Sequence, residues 1–214
     1  MMKIESLNIG QPNKVQYKQQ VFMSGVGKQA VEKAFLTKDG FKGDGVEQVK
    51  FHGGPDRAVL FYCYEHYEQW KVEFGKELSI PGFGENITVS GLSEATAHIG
   101  DIYQIGETSI QITQGRIPCN TLSKYNSLDL LLGRLVETGY TGFLGRVLKE
   151  GWIMKDSPII LKERNPHSMS VLKSNELYFH DKNNVEEIKK LLAIEELAHS
   201  WKEKLQHRLH KLGK

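Results

Sequence analysis

The chain has 214 residues, 39% of them hydrophobic, and its 28 lysines and arginines nearly balance 26 aspartates and glutamates, so the formal net charge is +2. So small a charge gives no reason to expect nucleic acid or an anionic membrane as the main partner. The two cysteines, Cys63 and Cys119, cannot form a dense disulfide framework, and no signal peptide or membrane-spanning apolar run is found, so we expect a cytoplasmic protein.

The first two thirds of the chain are broken by glycines into short stretches of β type. These stretches are KIESLNI, KVQYKQQVFM, KAFLT, RAVLFYCY, ENITVS, DIYQIG, TSIQITQ, TGFLGRVL and PIILKE. Many short strands separated by glycine-rich turns are typical of a sandwich or a closed barrel rather than a doubly wound sheet. The sequence therefore predicts a mainly β domain.

Two helices are predicted inside this β region. Residues 65–74, EHYEQWKVEF, place aromatic side chains at steps of three and four residues. Residues 127–138 place five leucine and valine side chains on one stripe, and Ser127 is predicted to be the N-cap.

The character of the sequence changes after Pro166, which predicts a barrel domain over 1–165 and a small helical domain over 166–214. Asn184 followed by Glu187 resembles a capping box, and two or three short helices are expected. Leu197, Trp201, Leu205 and Leu209 form the apolar face of the last helix. A unit this small must pack on the barrel or on a second subunit, so this face makes a homodimer conceivable.

His199, Glu203 and His207 of the last predicted helix recur at intervals of four residues. A metal site is one interpretation. A solvated helix face is favoured over it, because no cysteine or acidic cluster completes the ligand set.

Four glycine-marked segments carry most of the polar residues that suggest chemistry. In SGVGK, Ser24 and Lys28 bracket two glycines, and backbone N–H groups beside a lysine can hold a phosphate. KGDGVEQVKFHGGPDRAV gathers Asp44, His52 and Arg57 around glycine turns, although a purely structural loop remains an alternative. In PGFGENITV, Asn86 follows a Gly-Glu turn.

The fourth segment is GRIPCNTL, which contains Cys119. Free cysteine is among the most buried residue types, so an inert core residue is one interpretation. Arg116 and Pro118, however, make a rigid, cationic turn after a strand, and a nearby cation favours the thiolate. A nucleophile or a metal ligand therefore stays open beside the structural role.

The order and spacing of GDGVEQVKFHGGPDRAV, GFGENITVSGL, IGDIYQIGETSIQITQGRIPCNTL and TGFLGRVL resemble the MOSC domain, the family named for the molybdenum cofactor sulfurase C-terminus, in its YiiM-type subgroup. The resemblance covers about residues 1–165, and the tail is similar to the three-helix domain that follows it in this subgroup. It implies a MOSC-type β-barrel followed by a small helical domain.

The resemblance also implies a molybdenum cofactor, or molybdopterin, with Cys119 as the protein ligand of molybdenum. A thiolate is a soft ligand that suits such a metal, and Arg116 would help to neutralise the anionic cofactor. Candidates for binding the pterin phosphate are Ser24, Lys28, Arg57 and Arg146. His52 and Asn86 would lie near the pterin or the substrate, and His52 is the candidate proton donor.

By the same resemblance, the expected activity is the reduction of N-hydroxylated compounds, such as hydroxylaminopurines, to amines. No flavin or iron–sulfur motif is present, so the electrons are expected from a separate, flavoprotein-type reductase. One alternative is a sulfur carrier with a persulfide on Cys119, because some family members are fused to pyridoxal-phosphate enzymes. Another is a cofactor-binding protein without turnover.

Overall fold

The computed structural model describes residues 1–45 and 54–213. Thirteen strands lie in these residues: β1 Lys3–Ile9, β2 Asn13–Tyr17, β3 Gln20–Ser24, β4 Gln29–Ala30, β5 Lys33–Thr37, β6 Gly40–Phe41, β7 Val59–Cys63, β8 Ile87–Ser90, β9 Ile102–Ile105, β10 Thr108–Gly115, β11 Phe143–Lys149, β12 Gly151–Met154 and β13 Ile159–Glu163. Each matches one of the apolar stretches or fills a short gap between them, so the predicted β character is confirmed.

Six α-helices accompany the strands in the described residues: α1 Glu65–Phe74, α2 Thr121–Asn126, α3 Leu131–Thr138, α4 Val171–Phe179, α5 Val185–Leu192 and α6 His199–Lys211. A 3-10 turn spans Pro55–Arg57. None of the described helices is long and apolar enough to cross a lipid bilayer.

Eight strands form one curled sheet in the order β13-β9-β10-β11-β7-β8-β1-β4. All neighbours in it are antiparallel except β7 and β8, which run parallel. A second sheet of three strands, β12-β5-β6, shares its apolar core, and β2 and β3 form a separate hairpin. The apolar side chains of both larger sheets meet in one core, which gives the predicted barrel-like β domain.

The C-terminal helices extend this core. Trp201 and Leu205 of α6 are fully buried in the same apolar cluster as the strands, and Trp201 stacks on Tyr178 at 4.5 Å between ring centroids. Asn184 caps α5 by accepting a hydrogen bond from the N–H of Glu187 at 3.1 Å, as the capping-box pattern predicted. The apolar stripe of α6 is thus covered within one chain. It therefore gives no support to the predicted homodimer, which stays a prediction.

One predicted helix start is wrong. The helix expected from Ser127 begins at Leu131, and Ser127 instead ends α2 with a left-handed backbone, φ 52°. The hydroxyl of Ser123 in α2 accepts a hydrogen bond from the N–H of Leu132 at 2.9 Å. The preceding helix therefore supplies a capping group that the sequence pattern assigned to Ser127.

Candidate functional site

A cavity of about 830 Å³ lies between the β2–β3 hairpin, the end of β10 and helix α6. This volume lies within the range of ordinary small-molecule and cofactor sites, which usually span roughly 300–1,000 Å³. Six of the eight predicted site residues line it: Ser24, Lys28, Arg57, Asn86, Arg116 and Cys119. Residues from four separate parts of the chain are thus brought to one place.

Cys119 lies in the loop between β10 and α2 and is partly buried in the cavity wall. Cys63 is different, because it is 2% exposed and its thiol donates a hydrogen bond to Glu65 Oε2 at 3.0 Å. Burial raises the pKa of the Cys63 thiol, and the hydrogen bond to Glu65 adds to this effect. Cys63 is therefore an inert core residue, whereas Cys119 is the thiol that a ligand in the cavity can reach.

Arg116 is an unusual group in this wall, because its side chain is only 9% exposed and its Nη1 has no hydrogen-bond partner among residues 1–45 and 54–213. Burial lowers the pKa of its guanidinium, and the electrostatic interaction with the nearby Cys119 opposes that shift. A buried cation with an unpartnered nitrogen is costly unless an anion binds near it. Arg116 and Cys119 together therefore suit a ligand that is negatively charged and that can bind the sulfur of Cys119.

Lys28 is held by a partly buried carboxylate. Its ammonium group forms an ion pair with Asp44, and the two side chains are 3% and 12% exposed. Asp44 also accepts hydrogen bonds from the N–H of Gly10 and from Asn86 Nδ2, both at 2.8 Å. Burial lowers the pKa of Lys28, and the attraction of Asp44 works against this. Lys28, which the sequence predicted to bind a phosphate, is therefore already paired with a carboxylate.

The SGVGK turn uses some of its own donors. The Ser24 hydroxyl accepts from the N–H of Val26 at 3.1 Å, and the N–H of Lys28 donates to the carbonyl of Val26 at 2.9 Å. Asn86 is similarly occupied, because its Oδ1 accepts from the N–H of Leu60 at 3.1 Å. Ser24 and Asn86 therefore use these side-chain oxygens to hold the cavity wall.

Arg57 is positioned by the helical region. Its Nη2 donates to the hydroxyl of Ser200 at 2.6 Å, and that hydroxyl donates to Gln114 Oε1 at 3.3 Å. Arg57, Gln114 and Lys204 of α6 all line the cavity. The cavity is therefore built from both parts of the chain.

Two predicted site residues are not among those that line the cavity. Arg146, on β11, pairs with Asp56 at 2.8 Å and donates to the carbonyl of Glu196 at 2.9 Å. It joins β11 to the 3-10 turn and to the segment before α6. His52 lies outside the described residues, so its predicted role as proton donor stays a prediction.

The residues that sequence reasoning missed are Glu85, Gln114 and Lys204. Glu85 is fully buried and accepts hydrogen bonds from the N–H of Phe83 at 3.0 Å and the hydroxyl of Thr88 at 2.9 Å. Its charge is one of those that oppose the lowering of the Arg116 pKa. A polar side chain beside a glycine turn was the available signal for Glu85 and Gln114, but nothing local marks Lys204.

Within the described parts of the chain, no three histidine, cysteine or acidic side chains come together as a metal site. His199 and Glu203 of α6 only pair with each other at 3.2 Å on an exposed face, which is the solvated helix face that the sequence favoured. Cys119 would thus be a lone protein ligand, which suits a metal whose other ligands come from an organic cofactor.

The chain thus combines a curled β sheet, a thiol in a cavity wall and a helical region packed on the same core. Comparison with known families assigns this combination. The model of the MOSC domain matches residues 48–160, and that of the YiiM-like 3-alpha helix domain matches residues 169–212. The chain belongs to the MOSC domain family, in its YiiM-like group.

Known proteins agree with this assignment. The chain is 36% identical over 198 residues to the uncharacterized protein YflK of Bacillus subtilis, which covers 92% of this chain and 90% of that one. The crystal structure of YiiM from Geobacillus stearothermophilus superimposes with a TM-score of 0.83 at 31% identity, over 98% of this chain and 100% of that one. A Gibberella moniliformis protein named reductase is 36% identical over 125 residues, 56% of this chain and 22% of that one.

Proposed function

We propose that this protein is a molybdenum-cofactor-dependent reductase that converts N-hydroxylated compounds, such as 6-hydroxylaminopurine, to amines. The observation that carries the proposal is the placement of Cys119 in the cavity wall beside a buried arginine with an unpartnered nitrogen. The MOSC family and its reductase-named relative support an oxidoreductase, and the substrate and the metal are our inference.

The residues present fit such a cofactor. Cys119 offers a soft thiolate, and the cations Lys28, Arg57 and Arg116 line the same cavity, which suits a ligand that carries phosphate. The cofactor, when bound, supplies two-electron redox chemistry that the side chains lack. Cys119 would hold its metal, and Arg116 would offset its negative charge.

The balanced reaction sets what else the protein must do. A group R–NHOH takes up two electrons and two protons and yields R–NH₂ and water. The protein's own part would be to hold the N–O group on the Cys119 side of the cavity. His52 stays our candidate for delivering protons, and we expect the electrons from a separate flavoprotein reductase.

The test is reductase activity in full-length protein made in cells that overproduce the cofactor. A viologen reduced by dithionite would supply electrons, so that no partner protein is needed, and loss of 6-hydroxylaminopurine would be followed by chromatography. Cys119→Ala should abolish reduction, whereas the matched variant Cys63→Ala should retain it because Cys63 lies in the core. Full activity in Cys119→Ala would overturn the ligand role.

The sulfur-carrier alternative rests on the same accessible thiol. Intact-protein mass spectrometry separates the two functions, because a persulfide adds the mass of one sulfur atom to the chain. A persulfide mapped to Cys119, together with no reduction by cofactor-loaded protein, would replace the reductase proposal.

A further inference from the structure

The β2–β3 hairpin stands apart from the two larger sheets. Within the described parts of the chain its strands pair only with each other, from Asn13 opposite Ser24 to Tyr17 opposite Gln20. Each strand has five residues, and of these only Ser24 is buried. None of them is part of the apolar clusters found among residues 1–45 and 54–213. Because an isolated two-stranded hairpin is only marginally stable in water, contacts at its two ends must keep it in place.

The base of the hairpin is firmly anchored to the barrel. Gly10, three residues before β2, donates its N–H to Asp44 Oδ1 at 2.8 Å, and its carbonyl accepts from the N–H of Gly45 at 3.0 Å. Lys28, four residues after β3, forms the largely buried ion pair with Asp44. A Cβ on Gly10 would stand 3.0 Å from Lys28 Cα, so the two chain segments that leave the hairpin touch each other. Asp44 thus ties both ends of the hairpin to one point.

The tip of the hairpin is held by weaker contacts. Asp129, in the loop between α2 and α3, accepts hydrogen bonds from the Tyr17 hydroxyl and, at 3.3 Å, from Lys18 Nζ. The side chains of Lys18 and Asp129 are 67% and 70% exposed. The ammonium group of Lys124 in α2 lies 5.7 Å from the ring centroid of Phe22. Exposed ion pairs contribute little to stability, so these contacts can break and form again.

The hairpin also forms one side of the cavity. Met23 and Ser24, at the end of β3, line it together with Cys119 and Thr121, which begins α2. The hairpin is about 17 Å long, since an antiparallel strand rises about 3.4 Å per residue. A movement of this arm away from α2 would therefore open the cavity wall beside Cys119.

We propose that the β2–β3 hairpin is a flap over the cavity, hinged at its anchored base and latched at its tip by Asp129. Opening of the flap admits a ligand to the Cys119 side of the cavity, and closing encloses it there. Such closing elements retain a ligand and keep water from a site. The flap controls access to the thiol whichever reaction the cavity supports, so its test needs no turnover.

The test measures how fast Cys119 reacts with a pyrene maleimide, a bulky neutral reagent, in full-length protein. The protein is made in cells that lack the molybdenum cofactor, and peptide mapping assigns the label. Asp129→Ala should raise the rate constant about fivefold, because it removes both hydrogen bonds that hold the tip. Tyr17→Phe should raise it less, since Lys18 still pairs with Asp129.

Two controls separate flap opening from other effects. Glu187→Gln breaks the surface ion pair with Lys190 on α5, none of whose residues lines the cavity, and should leave the rate unchanged. Cys63 reports on unfolding of the whole chain because it is buried in the core, so its labelling should stay slow in every variant. Equal acceleration at Cys63 and Cys119, or an unchanged rate at Cys119 in Asp129→Ala, would overturn the inference.

Hydrogen exchange followed by mass spectrometry gives a readout that does not involve the thiol. Peptides from residues 13–24 should exchange together, and faster in Asp129→Ala than in the wild type, while peptides from β1 and β10 should not change. Hairpin amides that exchange as slowly as those of β10 would overturn the flap. Reductase activity in a protein with such a rigid hairpin would leave the proposed function standing, and flap opening in a cofactor-loaded protein that reduces nothing would do the reverse.

Discussion

Replacing Asp44 by asparagine should destabilise the protein by about 3 kcal/mol. The ion pair of Lys28 and Asp44 is largely buried, since the two side chains are 3% and 12% exposed. Removing one partner of such a pair leaves an uncompensated charge in the interior, which costs roughly 3–5 kcal/mol. Asparagine keeps an oxygen for the N–H of Gly10, so the loss should fall at the lower end.

The opposite variant, Lys28→Met, should cost less than Asp44→Asn. The remaining carboxylate of Asp44 would still accept hydrogen bonds from Gly10 and Asn86, whereas the remaining ammonium of Lys28 would have lost its counter-charge. The double variant should cost less than the sum of the two, because the second substitution removes the group that the first left unpaired.

The loss should also depend on pH. Burial lowers the pKa of Lys28, and Asp44→Asn removes the attraction that opposes this shift. Between the folded pKa and the ordinary lysine pKa, the unfolded chain binds more protons than the folded chain, so the free energy of unfolding rises with pH. The difference in the free energy of unfolding between the wild type and Asp44→Asn should therefore become smaller as the pH rises between these two pKa values.

The assay is urea denaturation of the wild type and the three variants, followed by far-ultraviolet circular dichroism at neutral and alkaline pH. The analysis uses the free energy of unfolding extrapolated to water. A loss below about 1 kcal/mol for Asp44→Asn, the value of an exposed pair, would refute the reasoning that this pair is buried and coupled.

Three further outcomes are expected. Iodoacetamide should modify Cys119 and spare Cys63 at pH 8, because burial raises the Cys63 pKa, and peptide mapping that finds equal labelling would contradict this. Gly115→Ala should lower stability in urea by about 1–3 kcal/mol, since its Cβ would stand 1.9 Å from Asn175 Oδ1, and an unchanged midpoint would argue against this packing. Trp201→Ala should cost roughly 3–5 kcal/mol in thermal unfolding, and a loss under 1 kcal/mol would disprove its place in the shared core.

Local sequence patterns predicted the elements well where period and burial agree. Helix 65–74 and the capping residue Asn184 match the structure, because the aromatic spacing and the Asn-x-x-Glu pattern act within one turn. Ser127 failed because its role depends on Ser123, which belongs to a six-residue helix too short to give a periodic signal.

The site shows the same limit. Six predicted residues line one cavity because each belongs to a glycine-marked turn that the family pattern identifies. Arg146 resembles the others in sequence, but its partner Asp56 is 90 residues away in the chain and draws it to a different contact. Lys204 was missed because only the packing of α6 on the barrel brings it to the cavity. Contacts between distant segments are set by the whole core, and no local pattern records them.

The measurement that tests the central claim most directly is the molybdenum content of purified protein by elemental mass spectrometry, for the wild type and Cys119→Ala made in cells that overproduce the cofactor. Cys63→Ala is the matched control. The account predicts near-stoichiometric molybdenum in the wild type and in Cys63→Ala, and its loss in Cys119→Ala. Molybdenum absent from all three proteins, or retained in full by Cys119→Ala, would contradict the role of Cys119 as the metal ligand.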